Sequence, residues 1–330
     1  GGELQRVLAA GADLSRVVFS GVGKSSADID LALKLEIGCF NVESSAELSR
    51  LAERARLLGR TASVAIRVNP DVDPKTHPYI STGLKENKFG VPANEARELY
   101  RRAQQDPNLR PTGIACHIGS QITDPQPMLD ALDSLLILVD ELLTDGIAVE
   151  HVDLGGGFSA TYNNEPAFDF TRWAEQVQQA IAGRDLQIVV EPGRYLVANG
   201  GVLVTTVEYL KHQPTPEHHN FAVVDAAMND LIRPALYQAW HGVDNVVRRE
   251  DVQEKTWDIV GPVCESADFL AKDRRLAIAA GDLLAVYSAG AYAMVQASNY
   301  NSRGRPPEVL VDGDTFTVVR RRETLSLIHI

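Results

Sequence analysis

Short apolar runs, each followed by a helical pattern, fill the first 194 residues of the chain. Strand followed by helix, repeated in this way, predicts a parallel sheet, and this many units favour a (β/α) barrel. Capping boxes at Ser25–Asp28 and Ser44–Glu47 predict where two of the helices begin. The apolar runs that predict strands are Val17–Val22, Cys39–Ser44, Ser63–Asn69, Gly113–Gly119, His151–Gly157 and Ile188–Arg194.

The predicted strands are too few for a closed barrel. Barrels of this kind close with eight strands, and six runs are found here. The chain opens on a helical pattern, Gly1–Ala10, with no strand before it. A unit of roughly 32 residues matches a barrel of about 250 residues for eight units, so we expect the first two strands, roughly 60 residues, to be missing on the N-terminal side.

The pattern changes after Tyr195, where β-rich runs follow one another without regular helices between them. They predict an antiparallel β domain with a boundary near Ala198–Gly201. We therefore expect two domains, a partial barrel over residues 1–198 and a β domain over residues 199–330. The β-rich runs are Gly200–Leu210, Asn220–Asp225, Trp257–Val260, Asp282–Tyr287 and Glu308–Val311.

Composition narrows the class of protein. Of the 330 residues, 45% are hydrophobic and 23% are charged, as in ordinary soluble globular proteins. The net charge of -12 argues against a nucleic acid or an anionic membrane as partner. The longest apolar stretches are too short to span a bilayer. Cys39, Cys116 and Cys264 share no metal-like spacing and cannot all pair, which favours a reducing cytoplasm and no metal site.

Three loops at predicted strand ends carry candidate chemistry. Gly155–Gly157 could bring backbone N–H groups close to a phosphate, although a tight turn is an equal alternative. Glu191-Pro-Gly-Arg194 places a carboxylate at the end of a buried strand and an arginine that suits an anion; a plain Glu–Arg ion pair is the alternative. His117, taken alone, fits a hydrogen-bonded core histidine. Together, glycines for a phosphate, an acid for a ring nitrogen and an imidazole for a ring face are what pyridoxal phosphate requires at a barrel mouth.

These loops and further motifs resemble the fold-type III pyridoxal-phosphate-dependent decarboxylases over nearly the whole chain. The resemblance implies a barrel of the alanine-racemase type followed by a β domain. It also implies decarboxylation of meso-2,6-diaminopimelate to L-lysine and CO2, the last step of bacterial lysine biosynthesis. The motifs are Arg67-Val-Asn-Pro-Asp71, Thr76-His-Pro-Tyr79, Thr82–Gly90, His117-Ile-Gly-Ser-Gln121, Glu191-Pro-Gly-Arg194, Arg233-Pro-Ala-Leu-Tyr237, Gly261-Pro-Val-Cys-Glu-Ser266 and Gly290-Ala-Tyr-Ala293.

The resemblance implies roles around pyridoxal 5'-phosphate. His117 would stack on the cofactor ring, and Glu191 would pair with the pyridine nitrogen and keep it protonated. Tyr292 would contact both cofactor and substrate. The residues that would hold the phosphate are Ser120, Gly156, Gly157, Gly193 and Arg194.

The β-domain motifs would serve the substrate. Arg233 and Tyr237, at i and i+4 if the stretch is helical, could share a carboxylate, although an exposed Arg–aromatic pair is the simpler interpretation. A lone cysteine such as Cys264 is usually a small buried hydrophobic residue. In the family, this cysteine protonates the reacting carbon and Glu265 binds the substrate amine, both across a homodimer interface that creates shared sites. Arg194 and Tyr292 would also contact substrate.

One departure from the family concerns the lysine that anchors the cofactor. The family places it at the end of the first barrel strand, which is not among the predicted strands. Lys24 stands near a strand end, but we interpret it as a structural or surface lysine. Two alternatives therefore stay open: a related decarboxylase acting on ornithine or arginine, and a non-catalytic regulatory homologue that lacks the anchoring lysine.

Overall fold

The structure, a computed structural model, describes residues 1–73, 88–214 and 219–328. The chain divides into two compact units, which we call the barrel unit (Gly1–Ser159 with Phe168–Pro192) and the β unit (Ala160–Ala167 with Gly193–Ile330). The short segment Ala160–Ala167 thus belongs to the β unit, although it lies between barrel elements in sequence. The motif Thr76–Tyr79 and the larger part of Thr82–Gly90 lie outside the described residues.

The barrel unit alternates strands and helices. Its six main strands form a parallel sheet in chain order, β1-β2-β3-β5-β6-β7, and β4 pairs with the end of β3. The strands are β1 Val18–Phe19, β2 Cys39–Val42, β3 Ala62–Asn69, β4 Val91–Pro92, β5 Leu109–Ala115, β6 His151–Asp153 and β7 Gln187–Val189. The helices are α1 Gly2–Ala9, α2 Ser26–Lys34, α3 Ser45–Leu58, α4 Ala93–Gln105, α5 Gln126–Thr144 and α6 Phe170–Ala180.

The predicted parallel α/β architecture is confirmed, and the strands differ from the prediction mainly at their ends. β6 and β7 stop at Asp153 and Val189, several residues before the predicted limits. Strands buried on both faces read as continuous apolar runs, so composition alone does not mark where pairing stops. The residues beyond these strands become the loops that carry the candidate site.

Only one of the two predicted capping boxes forms completely. Ser25 accepts a hydrogen bond from the Asp28 backbone while the Asp28 carboxylate accepts one from the Ser25 backbone. Ser44 also accepts from the Glu47 backbone, at 3.2 Å. The Glu47 carboxylate, however, lies 2.7 Å from the Nζ of Lys24. This carboxylate also accepts from the Glu43 backbone N–H at 3.2 Å, so its partners are a buried ammonium and Glu43, where the capping box predicts the backbone N–H of Ser44.

The predicted β domain is confirmed, with one pair of strands running against expectation. Six strands form a sheet in the order β10-β13-β8-β9-β11-β12, and a separate hairpin joins β14 and β15. Because β9 and β11 pair in parallel, the sheet is mixed. The strands are β8 Leu203–Lys211, β9 Asn220–Val224, β10 Val243–Asn245, β11 Lys255–Val260, β12 Phe269–Leu276, β13 Leu283–Val286, β14 Glu308–Asp312 and β15 Thr315–Arg320.

Three of these strands, β10, β12 and β15, have no counterpart among the predicted runs. β12 carries four charged residues in eight, Lys272–Arg275, which hides its apolar face. It lies at the edge of the sheet, where charged side chains reach solvent. Two short helices complete the unit, α7 Arg194–Val197 and α8 Arg233–Tyr237. Among the residues that the structure describes, no helix has the length and apolar character needed to cross a membrane.

Candidate active site

The loops after β5, β6 and β7 lie side by side in the barrel unit. These strands are neighbours in a parallel sheet, so their carboxyl ends share one edge. The Glu191 backbone N–H donates to the Gly155 carbonyl at 2.8 Å, and the Gly156 N–H donates to Nδ1 of His117 at 3.0 Å. The structure thus brings together one residue from each of the three loops that the sequence singled out.

The glycines in this edge are required by packing alone. Gly155 and Gly157 have φ values of +68° and +105°, which favour glycine. A Cβ on Gly156 would lie 2.3 Å from the Glu191 carbonyl oxygen, and one on Gly157 would lie 2.4 Å from that of Gly119. Ser120 follows Gly119 in the same loop and is half-buried. Close backbone packing therefore requires these glycines, and it places Ser120 beside the glycine loop.

His117 offers an uncharged ring. It is half-buried, and burial together with the nearby charge of Arg67 lowers its pKa to about 4. The imidazole is therefore neutral near pH 7, and its Nδ1 accepts the Gly156 hydrogen bond. A neutral imidazole can lie against an aromatic ring without the cost of desolvating a charge.

Glu191 is one of two neighbouring acids. Asp153 is fully buried and accepts from the Gly155 backbone at 2.8 Å and from Asn41 Nδ2 at 2.9 Å. Although the Glu191 side chain is exposed, desolvation of its carboxyl and the neighbouring Asp153 raise its pKa to about 7. Its Oε1 accepts from Ser20 Oγ at 3.2 Å. Because its surroundings disfavour the ionised form of Glu191, a cation or an N–H donor close to the carboxylate would stabilise that form.

Asp153, Asn41 and Ser20 were not predicted from sequence. Asp153 had a usable signal, since it is an acid inside the apolar run His151–Leu154, as Glu191 is at the end of its own run. Asn41 and Ser20 had none, because each reaches its acid from a strand that is not its neighbour in the sheet. Asn41 lies on β2 and bonds Asp153 on β6. Ser20 follows β1 and bonds Glu191, which follows β7.

In the β unit, Arg194 and Tyr292 come together as predicted. The Arg194 guanidinium lies 4.6 Å from the centre of the Tyr292 ring, and its Nη1 donates to Tyr162 Oη at 2.8 Å. Among the described residues, only the Tyr292 hydroxyl would lie within 4 Å of a Cβ on Gly193, at 4.0 Å. A guanidinium beside a phenol suits an anion.

Arg233 is buried, so its interpretation as part of an exposed pair is wrong. Only 7% of its surface is exposed, and its guanidinium lies 4.3 Å from the centre of the Tyr162 ring. The stretch is helical, with Arg233 and the half-buried Tyr237 at its two ends. Burial lowers the pKa of Arg233, and the groups acting on its charge are tyrosines and Arg194. Within the described ranges, no carboxylate forms an ion pair with this arginine.

Cys264 is exposed, so its interpretation as a small buried hydrophobic residue is wrong. Its Sγ accepts from Asn301 Nδ2 at 3.4 Å, and the exposed Glu265 carboxylate accepts from the Tyr300 hydroxyl. The loop that carries both is held by Asp268, which accepts from the Val263 backbone at 2.7 Å. The thiol and the carboxylate therefore face outward from a fixed loop.

Lys24 lies inside the barrel unit with 5% of its surface exposed. Its Nζ donates to the Gly21 carbonyl at 2.8 Å, the Asn41 carbonyl at 2.7 Å and Glu47 Oε1 at 2.7 Å. An ammonium has three donors, and all three are used. This geometry fits a structural lysine.

One group of side chains in the described part of the β unit could hold a metal ion. Nδ1 of His219 lies 3.4 Å from Asp258 Oδ2 and 3.2 Å from Asp273 Oδ1. The three ligand atoms lie within 4.8 Å of one another. The sequence carries no motif that marks this group, and the prediction of no metal site stays a prediction.

Each unit, taken by itself, offers groups that suit a part of pyridoxal 5'-phosphate. Glu191 has a raised pKa beside Asp153 and would be stabilised by a protonated pyridine nitrogen. His117 presents a neutral ring. Arg194 beside Tyr292 suits a phosphate or a carboxylate.

Comparison with known proteins agrees with this chemistry. Residues 1–198 match the family of pyridoxal-dependent decarboxylases, pyridoxal binding domain. The chain is 58% identical over 327 residues to a diaminopimelate decarboxylase of Pseudomonas fluorescens, covering 99% of this chain and 78% of that protein. The corresponding enzyme of Pseudomonas aeruginosa is 57% identical over 331 residues, with the same coverage.

A solved structure shows the same fold. The crystal structure of diaminopimelate decarboxylase from Helicobacter pylori, complexed with L-lysine, has a TM-score of 0.94 and 43% sequence identity to this chain. The match covers 99% of this chain and 81% of that one. The pyridoxal-binding barrel, the mixed β domain and this similarity together lead to one conclusion: the chain belongs to the diaminopimelate decarboxylases of the pyridoxal-dependent decarboxylase family.

Proposed function

We propose that the protein decarboxylates meso-2,6-diaminopimelate to L-lysine and CO2 with pyridoxal 5'-phosphate as cofactor. The observation that carries this proposal is the 58% identity over 327 residues to the Pseudomonas fluorescens enzyme. Asp153 and Glu191 at the strand ends support it, because the cofactor needs an acid for its ring nitrogen. Arg194 and Arg233, which lie among tyrosines, support it because the phosphate and the substrate carboxylate need cations.

The cofactor, when bound, supplies a conjugated ring that accepts the electron pair left on the substrate when CO2 departs. Glu191 would hold the proton on the ring nitrogen, and the neutral His117 would lie against the ring face. Ser120, Gly156 and Gly157 of the barrel unit would bind the phosphate, and the motif Glu191-Pro-Gly-Arg194 assigns the same role to Gly193 and Arg194. His117 would act in the neutral state that its surroundings favour. The pKa of Glu191 is raised because its surroundings disfavour the carboxylate, and a protonated ring nitrogen would stabilise that carboxylate.

Substrate recognition is assigned to the β unit. Arg233 and Arg194 bind carboxylate, and Tyr237 and Tyr292 orient it. Glu265 binds the substrate amine. Two observations support this assignment. Both arginines are buried and have tyrosine neighbours, and among the described residues no carboxylate neutralises the charge of Arg233.

Cys264 is proposed as the acid that returns a proton to the reacting carbon, acting in a homodimer on the partner's site. The exposure of Cys264 and Glu265 in the single chain supports this arrangement. A two-fold dimer would build two identical composite sites. The three cysteines are free thiols, which agrees with the proposed cytoplasmic location.

The anchoring lysine is proposed not to be among the described lysines. Lys24, which follows the first strand of the barrel unit, has its three donors occupied by two carbonyls and Glu47. An amine that attacks the cofactor must be deprotonated and accessible. Borohydride reduction with pyridoxal 5'-phosphate and peptide mapping tests this; a stoichiometric label on Lys24 would contradict it.

A substrate panel tests the reaction. The complete enzyme is assayed for CO2 release with meso-diaminopimelate, L-ornithine, L-arginine and L-lysine. Release from meso-diaminopimelate alone is expected. Preference for ornithine or arginine would support the related decarboxylases, and no release from any substrate by a cofactor-loaded enzyme would support a regulatory homologue.

Chain mixing tests the shared site. Cys264→Ala and Glu191→Ala chains are each expected to be inactive, and exchange between them should restore activity. In a mixed dimer one site takes its barrel from the Cys264→Ala chain and its thiol from the other chain. Confirmed exchange with no return of activity would show that Cys264 does not act on the partner.

A further inference from the structure

His241 lies beside Arg233 in the β unit, and the function proposed above gives it no role. It is completely buried, at 0% exposure. Its Nε2 lies 2.8 Å from Arg233 Nη1, and its Nδ1 lies 2.8 Å from the Tyr287 carbonyl oxygen. A buried histidine with both nitrogens in hydrogen bonds has a single orientation available to it.

The two neighbours of the ring require the same protonation state. A carbonyl oxygen only accepts, so Nδ1 must carry a hydrogen. A guanidinium only donates, so Nε2 must offer its lone pair to Arg233. The ring is therefore neutral, with its proton on Nδ1. Burial, assisted by the charges of Arg233, Arg194 and Arg274, lowers the pKa of His241 to about 4, in agreement with this state.

A neutral acceptor has a specific consequence for Arg233. The imidazole of His241 fixes one N–H of the guanidinium and leaves its positive charge in place. A carboxylate in the same position would neutralise that charge. The Tyr162 ring covers the guanidinium face at 4.3 Å, and the Tyr162 hydroxyl accepts from Arg194. Ring and imidazole together fix the plane and the rotation of the guanidinium, and its charge remains to attract an anion.

We propose that His241 is a positioning residue, which holds Arg233 on the face of Tyr162 in the orientation that binds a substrate carboxylate. This rests on the function proposed above, since Arg233 must bind that carboxylate. The neutral imidazole keeps the arginine both oriented and charged.

The test uses the complete, cofactor-loaded enzyme and two ligands that differ by one carboxylate. L-lysine carries the carboxylate, and 1,5-diaminopentane lacks it. His241→Phe keeps the ring and removes the acceptor; His241→Gln restores an acceptor. His212→Phe is the matched control, because the exposed His212 ring packs on Trp257 in the same unit.

In His241→Phe we expect the affinity for L-lysine by titration calorimetry to fall about 10- to 100-fold, as for loss of a hydrogen bond to a charged group. The affinity for 1,5-diaminopentane should change less than about 2-fold, since no carboxylate is involved. KM for meso-diaminopimelate should rise with the lysine effect, while kcat and the cofactor absorbance stay near the wild-type values. His241→Gln should recover most of the loss, and His212→Phe should behave as wild type.

Three results would overturn the proposal: an unchanged affinity of His241→Phe for L-lysine, an equal loss for both ligands, or a fall in kcat at unchanged KM. If the wild-type enzyme binds L-lysine but does not decarboxylate meso-diaminopimelate, the proposed function fails, and the contrast between the two ligands still decides the role of His241.

A measurement on the wild type covers the case in which His241→Phe does not fold. Long-range ¹H–¹⁵N correlation spectra report the tautomer of each histidine. The expected result is a neutral His241 ring with the proton on Nδ1, with and without L-lysine. A proton on Nε2 would rule out acceptance from Arg233 and overturn the proposal.

Discussion

Lys24 in the barrel unit and Arg233 in the β unit are cations with almost the same burial, at 5% and 7% exposure. Lys24 donates to Glu47 and to two backbone carbonyls, so its charge is neutralised and its donors are used. Arg233 meets a neutral imidazole and a tyrosine ring. Complete neutralisation indicates a cation that holds the fold together, and incomplete neutralisation indicates one that is kept for a ligand.

The residue types follow from this difference. A lysine in the position of Arg233 could avoid the energetic cost of a buried charge by losing a proton. Arginine stays charged under almost all conditions and presents a planar fork that matches a carboxylate. Lys24 stays buried because Glu47 comes with it, although burial raises the pKa of Glu47 even beside that ammonium. The intact Lys24–Glu47 pair therefore adds little to the free energy of unfolding, but removing one partner lowers that free energy strongly.

The largest expected effect is that of Lys24→Met on stability. Removing the ammonium leaves Glu47 buried without its cation, which should lower the free energy of unfolding by about 3–5 kcal/mol. Chemical denaturation of the complete enzyme measures this, and KM of the folded fraction should not change. Lys24→Met combined with Glu47→Gln should recover part of the loss. If Lys24→Met is as stable as wild type, Lys24 is not a cation that holds the barrel unit together.

Arg233→Met should have the reverse signature. We expect KM for meso-diaminopimelate to rise about 10- to 100-fold, because a charge-assisted bond to the carboxylate is lost. The free energy of unfolding should fall much less than in Lys24→Met, since Arg233 has no carboxylate partner among the described residues and the group left unpaired is the neutral imidazole of His241. Steady-state kinetics and denaturation on the same preparation give both numbers. Strong destabilisation with unchanged KM would show that Arg233 is a structural cation like Lys24.

The dependence of stability on pH tests whether His241 in the β unit is held neutral. The pKa of His241 falls from 6.5 to about 4 on folding, so its contribution to stability is present above pH 6.5 and is lost as the pH falls toward 4. One such proton changes the unfolding free energy by at most about 1.4 kcal/mol per pH unit. Melting temperatures of wild type should therefore fall more steeply over this range than those of His241→Gln. Equal slopes would mean that His241 is not held neutral.

Glu191 should give the smallest effect, with the opposite sign. Its pKa is raised from 4.5 to about 7, so in the cofactor-free protein its contribution to stability is present below pH 4.5 and is lost as the pH rises through 7. The effect is reduced because solvent reaches the side chain. Glu191→Gln should flatten the melting temperature over this range, and cofactor should do the same in wild type. A wild-type curve that is already flat there would contradict the coupling to Asp153.

Sequence reasoning succeeded for features that depend on local pattern. The loops at His117, Gly155–Gly157 and Glu191 lie together because each follows a strand, and parallel strands in chain order place their ends on one edge. It failed where the partner of a side chain is distant. Glu47 fits a capping box by spacing, but its carboxylate meets Lys24, 23 residues earlier in the chain. β12 was missed because charged residues at a sheet edge conceal its period.

The sequence by itself determined the order of the main strands and helices in the barrel unit, the cofactor and the family, because each of these depends on residues close together in the chain. The tertiary structure alone decided which cations are neutralised and which acid titrates near pH 7. Tyr162 reaches Arg233 from a loop that sequence places among barrel elements, and Asp153 raises the pKa of Glu191 from the next strand. Charge and hydrogen bonding act over a few ångströms through space, so their outcome depends on neighbours that chain order does not reveal.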